Sequence, residues 1–418
     1  MKFKLTKEEK SWVLYDVGNS AFVLLIATII PIYFNYLAGK AGLSDVEYLA
    51  YWGYVASIVT LIIVLAGPIC GALADTKGYK KPIFMISLII GVAGCIGLGF
   101  VKNWLLFLVV FVIAKVGYSS SLIFYDSMLS DVTQDDRMDD VSAQGYAWGY
   151  IGSCIPFVFS LILVLGAEAI GISMEMAMTI AFFIIAIWWV VMSLPLLKTY
   201  RQKYYVEKPT HVVRESFARL GRTLKNVRQE KKIFMFLLAF FFYIDGVYTI
   251  IDMATAYGAA LGLDSTGLLL ALLLTQIVAF PFAILFGRLS RRYEAEKLIT
   301  VCIAAYFGIA VFAIFLTSQT QFWILAVLVG MFQGGIQALS RSYFTKIIPA
   351  NQSGEYFGLM DILGKGASFV GTTFVGLISQ LTGSVNKGVG TIALMFILGM
   401  IVFRYAVKVT NYKQSRDF

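Results

Sequence analysis

The sequence predicts an all-α membrane protein with twelve transmembrane helices in two pseudo-symmetric six-helix bundles. Three observations predict this fold class. The composition is too apolar for a water-soluble fold, twelve long apolar stretches are divided six and six by a polar segment, and the basic residues lie almost entirely on one side of those stretches. Helices are expected because a lipid phase leaves every backbone polar group to be satisfied within the chain.

The composition excludes an ordinary soluble domain. Hydrophobic residues make up 59% of the 418 residues and charged residues 14%, whereas soluble domains average about 45–50% apolar and 25% charged. The single histidine, His211, and the cysteines Cys70, Cys95, Cys154 and Cys302 show no zinc-site or disulfide spacing. We therefore expect neither a metal nor a cofactor.

Twelve apolar stretches are each long enough to cross a bilayer, which takes about 20 helical residues. They divide the chain into an N-terminal bundle (1–198), a polar linker (199–232) and a C-terminal bundle (233–418). The predicted spans are 12–37, 50–73, 82–101, 104–127, 142–166, 175–198, 233–258, 265–288, 298–317, 321–345, 356–382 and 386–408.

Basic residues set the predicted orientation. With both termini in the cytoplasm, nearly all of the 34 Lys and Arg residues lie on the cytoplasmic side, as the positive-inside rule requires. The exceptions are Lys40, Lys102 and Lys387 outside, and Lys115 and Lys365 within spans. The net charge of +9 therefore indicates topology and contact with anionic lipids rather than nucleic-acid binding. We expect a monomer in the cytoplasmic membrane.

The linker contains one amphipathic pattern. Apolar residues recur at spacings of four and three, with basic residues between them, at Val213, Phe217, Leu220, Leu224 and Val227. This pattern predicts a helix lying on the inner membrane surface. We interpret it as a tether between the bundles; a regulatory or partner-binding role is the alternative.

The turn after span 2 carries the most specific motif, since residues 71–81 read GALADTKGYKK. Gly71 would let span 2 approach a neighbouring helix closely, Gly78 would permit a tight turn, and Asp75 would face a helix N-terminus or accept hydrogen bonds. The turn resembles the Gly-x-Leu-Ala-Asp-x-x-Gly-x-Lys-Lys signature of the major facilitator superfamily. The resemblance implies that this cluster locks the cytoplasmic side. Residues 287–292, GRLSRR, are a weaker echo after span 8.

Further segments narrow the resemblance. Residues 14–22 read LYDVGNSAF, 243–250 read YIDGVYTI, 274–282 read LTQIVAFPF, 333–342 read QGGIQALSRS and 354–365 read GEYFGLMDILGK. With these, the chain resembles the "unknown major facilitator" family, which is similar to the yeast vacuolar amino-acid effluxers linked to autophagy. The resemblance implies transport of an amino acid or a related small solute by alternating access.

Charged residues inside spans are candidate functional groups because lipid makes them costly. Lys115 in span 4 and Asp245 in span 7 both lie near the predicted midplane, and the resemblance implies that spans 1, 4, 7 and 10 line a central cavity. We predict that Lys115 holds a substrate carboxylate there, and that Asp245 holds an ammonium group or carries a coupling proton. A structural salt bridge between the two is the alternative. Further candidate substrate contacts are Tyr243, Tyr248, Gln276, Gln333 and Gln337.

Other charges are assigned to gating or to internal pairing. Asp361 and Lys365 are one helical turn apart, which predicts an ion pair within the membrane. Asp16, near the start of span 1, is a candidate for gating or binding. Asp126 is a candidate partner of Asp75. Arg341, at the end of span 10, is a further gating candidate, and the acidic residues of 131–140 are interpreted as mostly solvated.

The sequence favours a transporter of a small polar solute, with protons as a candidate coupling ion. A lipid or glycolipid flippase, a drug/proton antiporter and a sensor without flux are alternatives. Lys115-Val116-Gly117 replaces the Arg motif that drug antiporters carry in span 4, and span 5 has Pro156 without the Gly-Pro pair of those antiporters. No predicted span contains a histidine and no phosphate-binding loop is present, so an enzyme is not expected.

Overall fold

The computed structural model describes residues 3–208, 210–227 and 230–414. Within these residues the chain is almost entirely helical, and twelve helical segments have the length and composition to cross a membrane, as predicted. The helices are α1 (Lys7–Ala27), α2 (Ile29–Lys40), α3 (Asp45–Ala74), α4 (Lys80–Leu98), α5 (Trp104–Ser127), α6 (Leu129–Val132), α7 (Met138–Leu165), α8 (Met174–Thr199), α9 (Val212–Val227), α10 (Lys231–Ala260), α11 (Ser265–Leu289), α12 (Ala295–Ile314), α13 (Gln319–Ile347), α14 (Ser353–Thr382) and α15 (Val385–Gln414).

The chain forms two compact units. Unit 1 contains Met1–Thr133, Trp148–Val212 and Asn351–Gly358, and unit 2 contains Gln134–Ala147, Val213–Ala350 and Leu359–Phe418. Two helices are thus shared between the units, since α7 begins in unit 2 and α14 begins in unit 1. The buried charges of the two clusters described below lie at or against the starts of these two helices.

The first helix begins five residues before the predicted span. Thr6 accepts a hydrogen bond from the backbone of Glu9, whose carboxylate accepts one from the backbone of Thr6, which is a capping box. The box makes Lys7 the first helical residue. Asp16 consequently lies more than two turns inside α1, deeper in the helix than the sequence analysis placed it.

The first membrane-spanning segment, Lys7–Lys40, is interrupted at Thr28, where φ is −134° and ψ is −70°. Pro31 has no N–H, and its ring would meet the carbonyl of Ala27 in a continuous helix, which breaks the hydrogen-bond ladder at this point. The Thr28 hydroxyl donates to the carbonyl of Leu24 at 2.6 Å, so a buried polar group at the break is satisfied.

Glycines bring helices into close contact in each unit. In unit 1, a Cβ added at Gly94 on α4 would lie 2.7 Å from Ala114 on α5. In unit 2, a Cβ added at Gly246 on α10 would lie 2.5 Å from the ring of Phe396 on α15. Small residues at such crossings let the backbones approach, which favours helix association in lipid, where apolar burial alone gives little.

Candidate functional site

Asp75 receives the N-terminus of α14. It follows the last residue of α3, and its side chain is completely buried. Its carboxylate accepts hydrogen bonds from the N–H groups of Gly354 at 2.8 Å and Glu355 at 2.9 Å. These N–H groups belong to the first turn of α14, which has no intrahelical acceptor for them and carries the positive end of the helix dipole. The negative charge of Asp75 is therefore stabilised by the helix start.

Glycines on both α3 and α14 allow this contact. A Cβ at Gly71 would overlap the carbonyl of Gly354, and a Cβ at Gly358 would lie 2.8 Å from Pro68. The backbones of α3 and α14 therefore approach so closely that Asp75 reaches the helix start. Gly78, with φ of 78°, has the left-handed conformation that glycine adopts without a steric cost.

Lys80 joins Asp75 to a second carboxylate. Its ammonium lies 3.7 Å from Asp75 Oδ1 and 3.5 Å from Asp131 Oδ2, and it donates to Ser353 Oγ at 2.9 Å. The side chains of Lys80 and Asp75 are completely buried. Buried charges are stable only when they are paired and hydrogen-bonded. The residues Asp75, Lys80, Asp131, Tyr200 and the start of α14 are called here the Asp75 cluster.

Asp131 was not predicted to belong to this cluster, and the expectation that it is solvated is wrong, since it is 1% exposed. Asp131 Oδ2 accepts a hydrogen bond from the hydroxyl of Tyr200 at 2.5 Å, and Oδ1 accepts from the N–H groups of Lys203 and Tyr204, each at 2.9 Å. Burial, and then the charge of Asp131, raise the pKa of Tyr200 well above its usual value, so its hydroxyl stays protonated and donates.

The first residues of the linker, 200–207, form a strap over the motif turn. Val206 and Thr76 form a parallel β-bridge, in which Val206 N–H donates to the Asp75 carbonyl at 2.8 Å and Lys77 N–H to the Val206 carbonyl at 3.0 Å. The side-chain oxygen of Gln202 accepts from Gly78 N–H at 3.0 Å. No sequence pattern predicts this strap, because a single β-bridge leaves no periodic pattern.

A second cluster in unit 2 surrounds Arg341, which is 3% exposed. Its guanidinium donates to the hydroxyl of Ser142 at 3.0 Å and to the carbonyl of Ser142 at 2.9 Å, and it lies 4.3 Å from the ring centre of Tyr146. The start of α7 is thereby bound to α13.

The same helix start carries two paired acids. Arg291, in the turn after α11, donates to both oxygens of Asp140 at 2.7 and 2.8 Å, and Lys346 lies 2.8 Å from Asp139. The hydrogen bonds that Arg291 donates to Asp140 raise the pKa of Arg291. Asp140 is buried, so the expectation of solvation is wrong for it as well. Asp139, Asp140, Ser142, Tyr146, Arg291, Arg341 and Lys346 are called here the Arg341 cluster.

Asp245 is completely buried on α10. Its Oδ1 accepts hydrogen bonds from Gly371 N–H of α14 at 3.1 Å and from the Thr249 hydroxyl at 3.2 Å. A Cβ at Gly371 would overlap that oxygen, so glycine is required at this contact. The second oxygen, Oδ2, has no hydrogen-bond partner among the described residues.

The other predicted residues of unit 2 lie at several helix contacts. The hydroxyls of Tyr243 and Ser340 are 2.7 Å apart, and the Tyr248 ring would be 3.5 Å from a Cβ at Gly364. The Asp361 and Lys365 side chains are 2.5 Å apart and partly exposed. Gln333 is buried, and Gln276 and Gln337 are half-buried.

In unit 1, Lys115 is half-buried on α5, with its ammonium 5.9 Å from the ring centre of Phe111. Asp16 is buried and accepts hydrogen bonds from the Tyr125 hydroxyl at 3.0 Å and from the Asn19 amide at 3.4 Å. Asp126 is half-buried on α5. Lys115 and Asp245 belong to different units, and their common cavity stays a prediction.

In the described part of the chain, no group of three or more His, Cys, Asp or Glu side chains is arranged to hold a metal ion. The charged groups of the Asp75 cluster and the Arg341 cluster are compensated by one another, by hydroxyls or by a helix N-terminus.

The sequence matches one protein family, described as "Vacuole effluxer Atg22 like", over residues 5–138 and 130–416. It is 42% identical to the "uncharacterized MFS-type transporter YxiO" of Bacillus subtilis (strain 168), with 100% of this chain and 99% of that protein covered. It is 22% identical to "Autophagy-related protein 22" of Vanderwaltozyma polyspora, with 96% and 91% covered.

The fold is similar to that of solved transporters. The structure of the major facilitator superfamily transporter FucP in the outward conformation superposes with a TM-score of 0.70 at 14% identity, covering 96% of this chain and 97% of that one. At that identity the similarity shows the fold.

Proposed function

The chain belongs to the Atg22-like family of major facilitator superfamily transporters, and on that premise we propose that it moves an amino acid or a related small polar solute across the cytoplasmic membrane by alternating access. Both termini face the cytoplasm in this proposal, and the protein acts as a monomer. Its relatives are transporters rather than enzymes.

The observation that carries the proposal is the buried carboxylate of Asp245. An ionised carboxylate within a membrane-spanning helix is costly unless it is paired, and its Oδ2 has no hydrogen-bond partner among the described residues. A substrate ammonium group or a proton would remove that cost when it binds. Asp245 is therefore the proposed cation site, either for the amino group of the substrate or for the coupling proton.

Lys115 is the proposed anion site. Its ammonium is half-buried in a span and sits near an aromatic ring, where a carboxylate would be held with less competition from water. An amino acid carries both an ammonium and a carboxylate, so two intramembrane charges of opposite sign match the substrate class. Tyr243, Tyr248, Gln276, Gln333 and Gln337 are proposed to complete the substrate contacts.

The Asp75 cluster is the proposed gate. Alternating access requires contacts that hold one state and break in the other. The hydrogen bonds from the start of α14 to Asp75 connect a helix shared by both units to the motif turn. Gly71, Gly78, Asp16, Asp126 and Arg341 are proposed to assist this gating, and Asp361 with Lys365 to form an internal pair.

The test is uptake of radiolabelled amino acids into proteoliposomes, after a thermal-shift screen has identified a ligand, since a ligand that binds the folded state raises its stability. We expect Lys115→Gln to abolish binding of a carboxylate ligand, and Lys102→Gln, at an exposed lysine, to leave it intact. The proposed substrate class would be overturned if lipids, but no amino acid, raised the melting temperature and were transported.

The role of Asp245 is tested separately. If it carries the coupling proton, Asp245→Asn abolishes proton-driven accumulation and retains counterflow exchange. If it holds the substrate ammonium, the same variant loses both. Asp135→Asn, at an exposed carboxylate, is the matched control. Full accumulation by Asp245→Asn would exclude either role.

A further inference from the structure

Helix α9 exposes an apolar stripe. Val213 is 59% exposed and Phe217 is 50% exposed, and their positions are about 40° apart around the helix, so they share a face. Leu220 extends the same face and is half-buried, Val227 at the end of the helix is buried, and the side chain of Leu224 lies outside the described residues. Comparable exposure occurs on the outward-facing side chains of membrane-spanning helices, such as Leu61 at 59% and Ile86 at 55%.

The side of α9 that the protein covers is polar. Ser216 is 2% exposed, Thr223 is 5% exposed and Arg219 is 9% exposed. A helix packed on a soluble protein core buries its apolar stripe and exposes its polar side. In α9 the polar flank is buried, and the apolar stripe beside it is open at Val213 and Phe217.

The opposite flank of the stripe is basic. Arg214 and Lys225 are exposed and follow the stripe on the side away from Ser216 and Thr223, because successive residues are about 100° apart. Glu215 is the one acidic residue in the sequence of α9, and it lies farther from the stripe, beside the exposed Arg222. The helix thus has a covered flank, an apolar stripe, and a basic flank.

The chain itself holds α9 at a membrane boundary. The helix ends at Val227, and the membrane-spanning segment Lys231–Ala254 begins four positions later. Four residues reach at most about 14 Å. A helix of about 24 Å anchored so close to a span fits the headgroup layer of a bilayer.

We propose that α9 lies in the bilayer interface, with Val213 and Phe217 inserted between the acyl chains and with Arg214 and Lys225 bound to the phosphates of anionic lipids. The occupant of this surface is an anionic leaflet rather than a protein. The apolar stripe of α9 can face the acyl chains while the basic flank faces the headgroups and the covered flank faces the protein. The adjoining span keeps α9 at the level of the headgroups.

The test uses the full chain without its native cysteines, reconstituted in vesicles containing phosphatidylglycerol, with one spin label at a time. Labels at Val213→Cys and Phe217→Cys should be several-fold more accessible to oxygen, which partitions into lipid, than to a water-soluble nickel chelate. Labels at Ala218→Cys and Arg222→Cys, on the exposed far side, should show the reverse.

Two results would overturn the insertion. Labels at 213 and 217 that are as accessible to the nickel chelate as those at 218 and 222 would place the stripe in water. Labels that are shielded from both reagents would show that a protein, or a second copy of this chain, covers it.

The lipid charge is tested in the same assay. The ratio of oxygen accessibility to nickel-chelate accessibility at position 217 should be several-fold higher in vesicles that contain phosphatidylglycerol than in vesicles of phosphatidylcholine alone. Arg214→Gln combined with Lys225→Gln should remove that rise, and the control pair Arg292→Gln with Lys297→Gln, at exposed basic residues elsewhere, should keep it. A rise produced by inorganic phosphate in phosphatidylcholine vesicles, or one retained by the Arg214/Lys225 variant, would contradict binding of lipid phosphates there.

Discussion

The Asp75 cluster and the Arg341 cluster each hold the start of a membrane helix, by opposite arrangements of charge. In the first, the turn supplies the acid, because Asp75 accepts from the N–H groups of α14. In the second, the acids belong to the helix, because Asp139 and Asp140 lie in the first turn of α7 and neighbouring basic residues pair with them. Both place negative charge at a helix N-terminus, where the dipole favours it.

The cations that form ion pairs with acids in the two clusters differ in their access to water. Lys80 and Asp75 have completely buried side chains, whereas the side chains of Arg291 and Lys346 are 38% and 27% exposed. Removing one member of a buried set leaves its partners charged in a low-dielectric environment, while solvent screens the loss of an exposed member. Replacing Lys80 should therefore cost more stability than replacing Arg291 or Lys346.

The largest effect is expected from Lys80→Met. It removes the cation between Asp75 and Asp131 and leaves both carboxylates buried, which we expect to destabilise the protein by about 3–5 kcal/mol. The measurement is the melting temperature of purified protein in detergent. Lys81→Met, at the neighbouring half-buried lysine, is the control, and equal melting temperatures for the two variants would show that the pairing of Lys80 contributes little.

Asp75→Asn is expected to have the next largest effect. The amide keeps one acceptor but loses the charge that two N–H groups of α14 bind, a loss of about 1.5–3 kcal/mol for charged hydrogen bonds. Because the ligand is not held here, transport should slow while ligand affinity stays roughly unchanged. Transport and binding are measured on the same preparation, with Asp135→Asn as control. A gating role would be contradicted if the variant lost ligand affinity but transported each bound ligand at the normal rate.

Tyr200→Phe should have a smaller effect, about 1–2 kcal/mol, because Asp131 keeps its two backbone donors. The pKa of Tyr200 is raised in the folded protein. Its contribution to stability is therefore complete below the unfolded value of about 10 and is lost as pH rises from there through the folded pKa. We expect part of the alkaline loss of stability above about pH 10 to disappear in Tyr200→Phe, measured as melting temperature against pH. Parallel wild-type and variant profiles would exclude this linkage.

Features that depend on local sequence were predictable. The twelve spans follow from runs of apolar residues, and the motif turn follows from the fixed order of residues 71–81. Two missed local features also had signals: Thr6 and Glu9 have capping-box spacing, and Pro31 marks the break at Thr28. These could have been found from the chain alone.

The pairing of buried charges could not be predicted in the same way. Asp131 and Asp140 stand in an acidic, loop-like stretch, and nothing local distinguishes them from exposed residues such as Asp135. Their burial depends on Tyr200 and Arg291, which lie 69 and 151 residues away in the chain. No periodic pattern links positions so far apart, so a single sequence does not indicate that they are in contact.

The smallest effect is expected from Arg291→Gln. Its bidentate contact with Asp140 has good geometry, but Arg291 is partly exposed, so screening should limit the loss to about 1 kcal/mol or less. Salt should reduce the difference between wild type and variant, because the Debye length falls from about 10 Å at 0.1 M salt to about 3 Å at 1 M. The measurement is the melting temperature at both salt concentrations. Lys297→Gln, which removes an exposed pair with Glu294, should change the melting temperature less than Arg291→Gln does at either salt concentration. A fall in melting temperature as large as that of Lys80→Met, and independent of salt, would contradict this prediction. It would show that the partial exposure of Arg291 does not weaken its ion pair with Asp140.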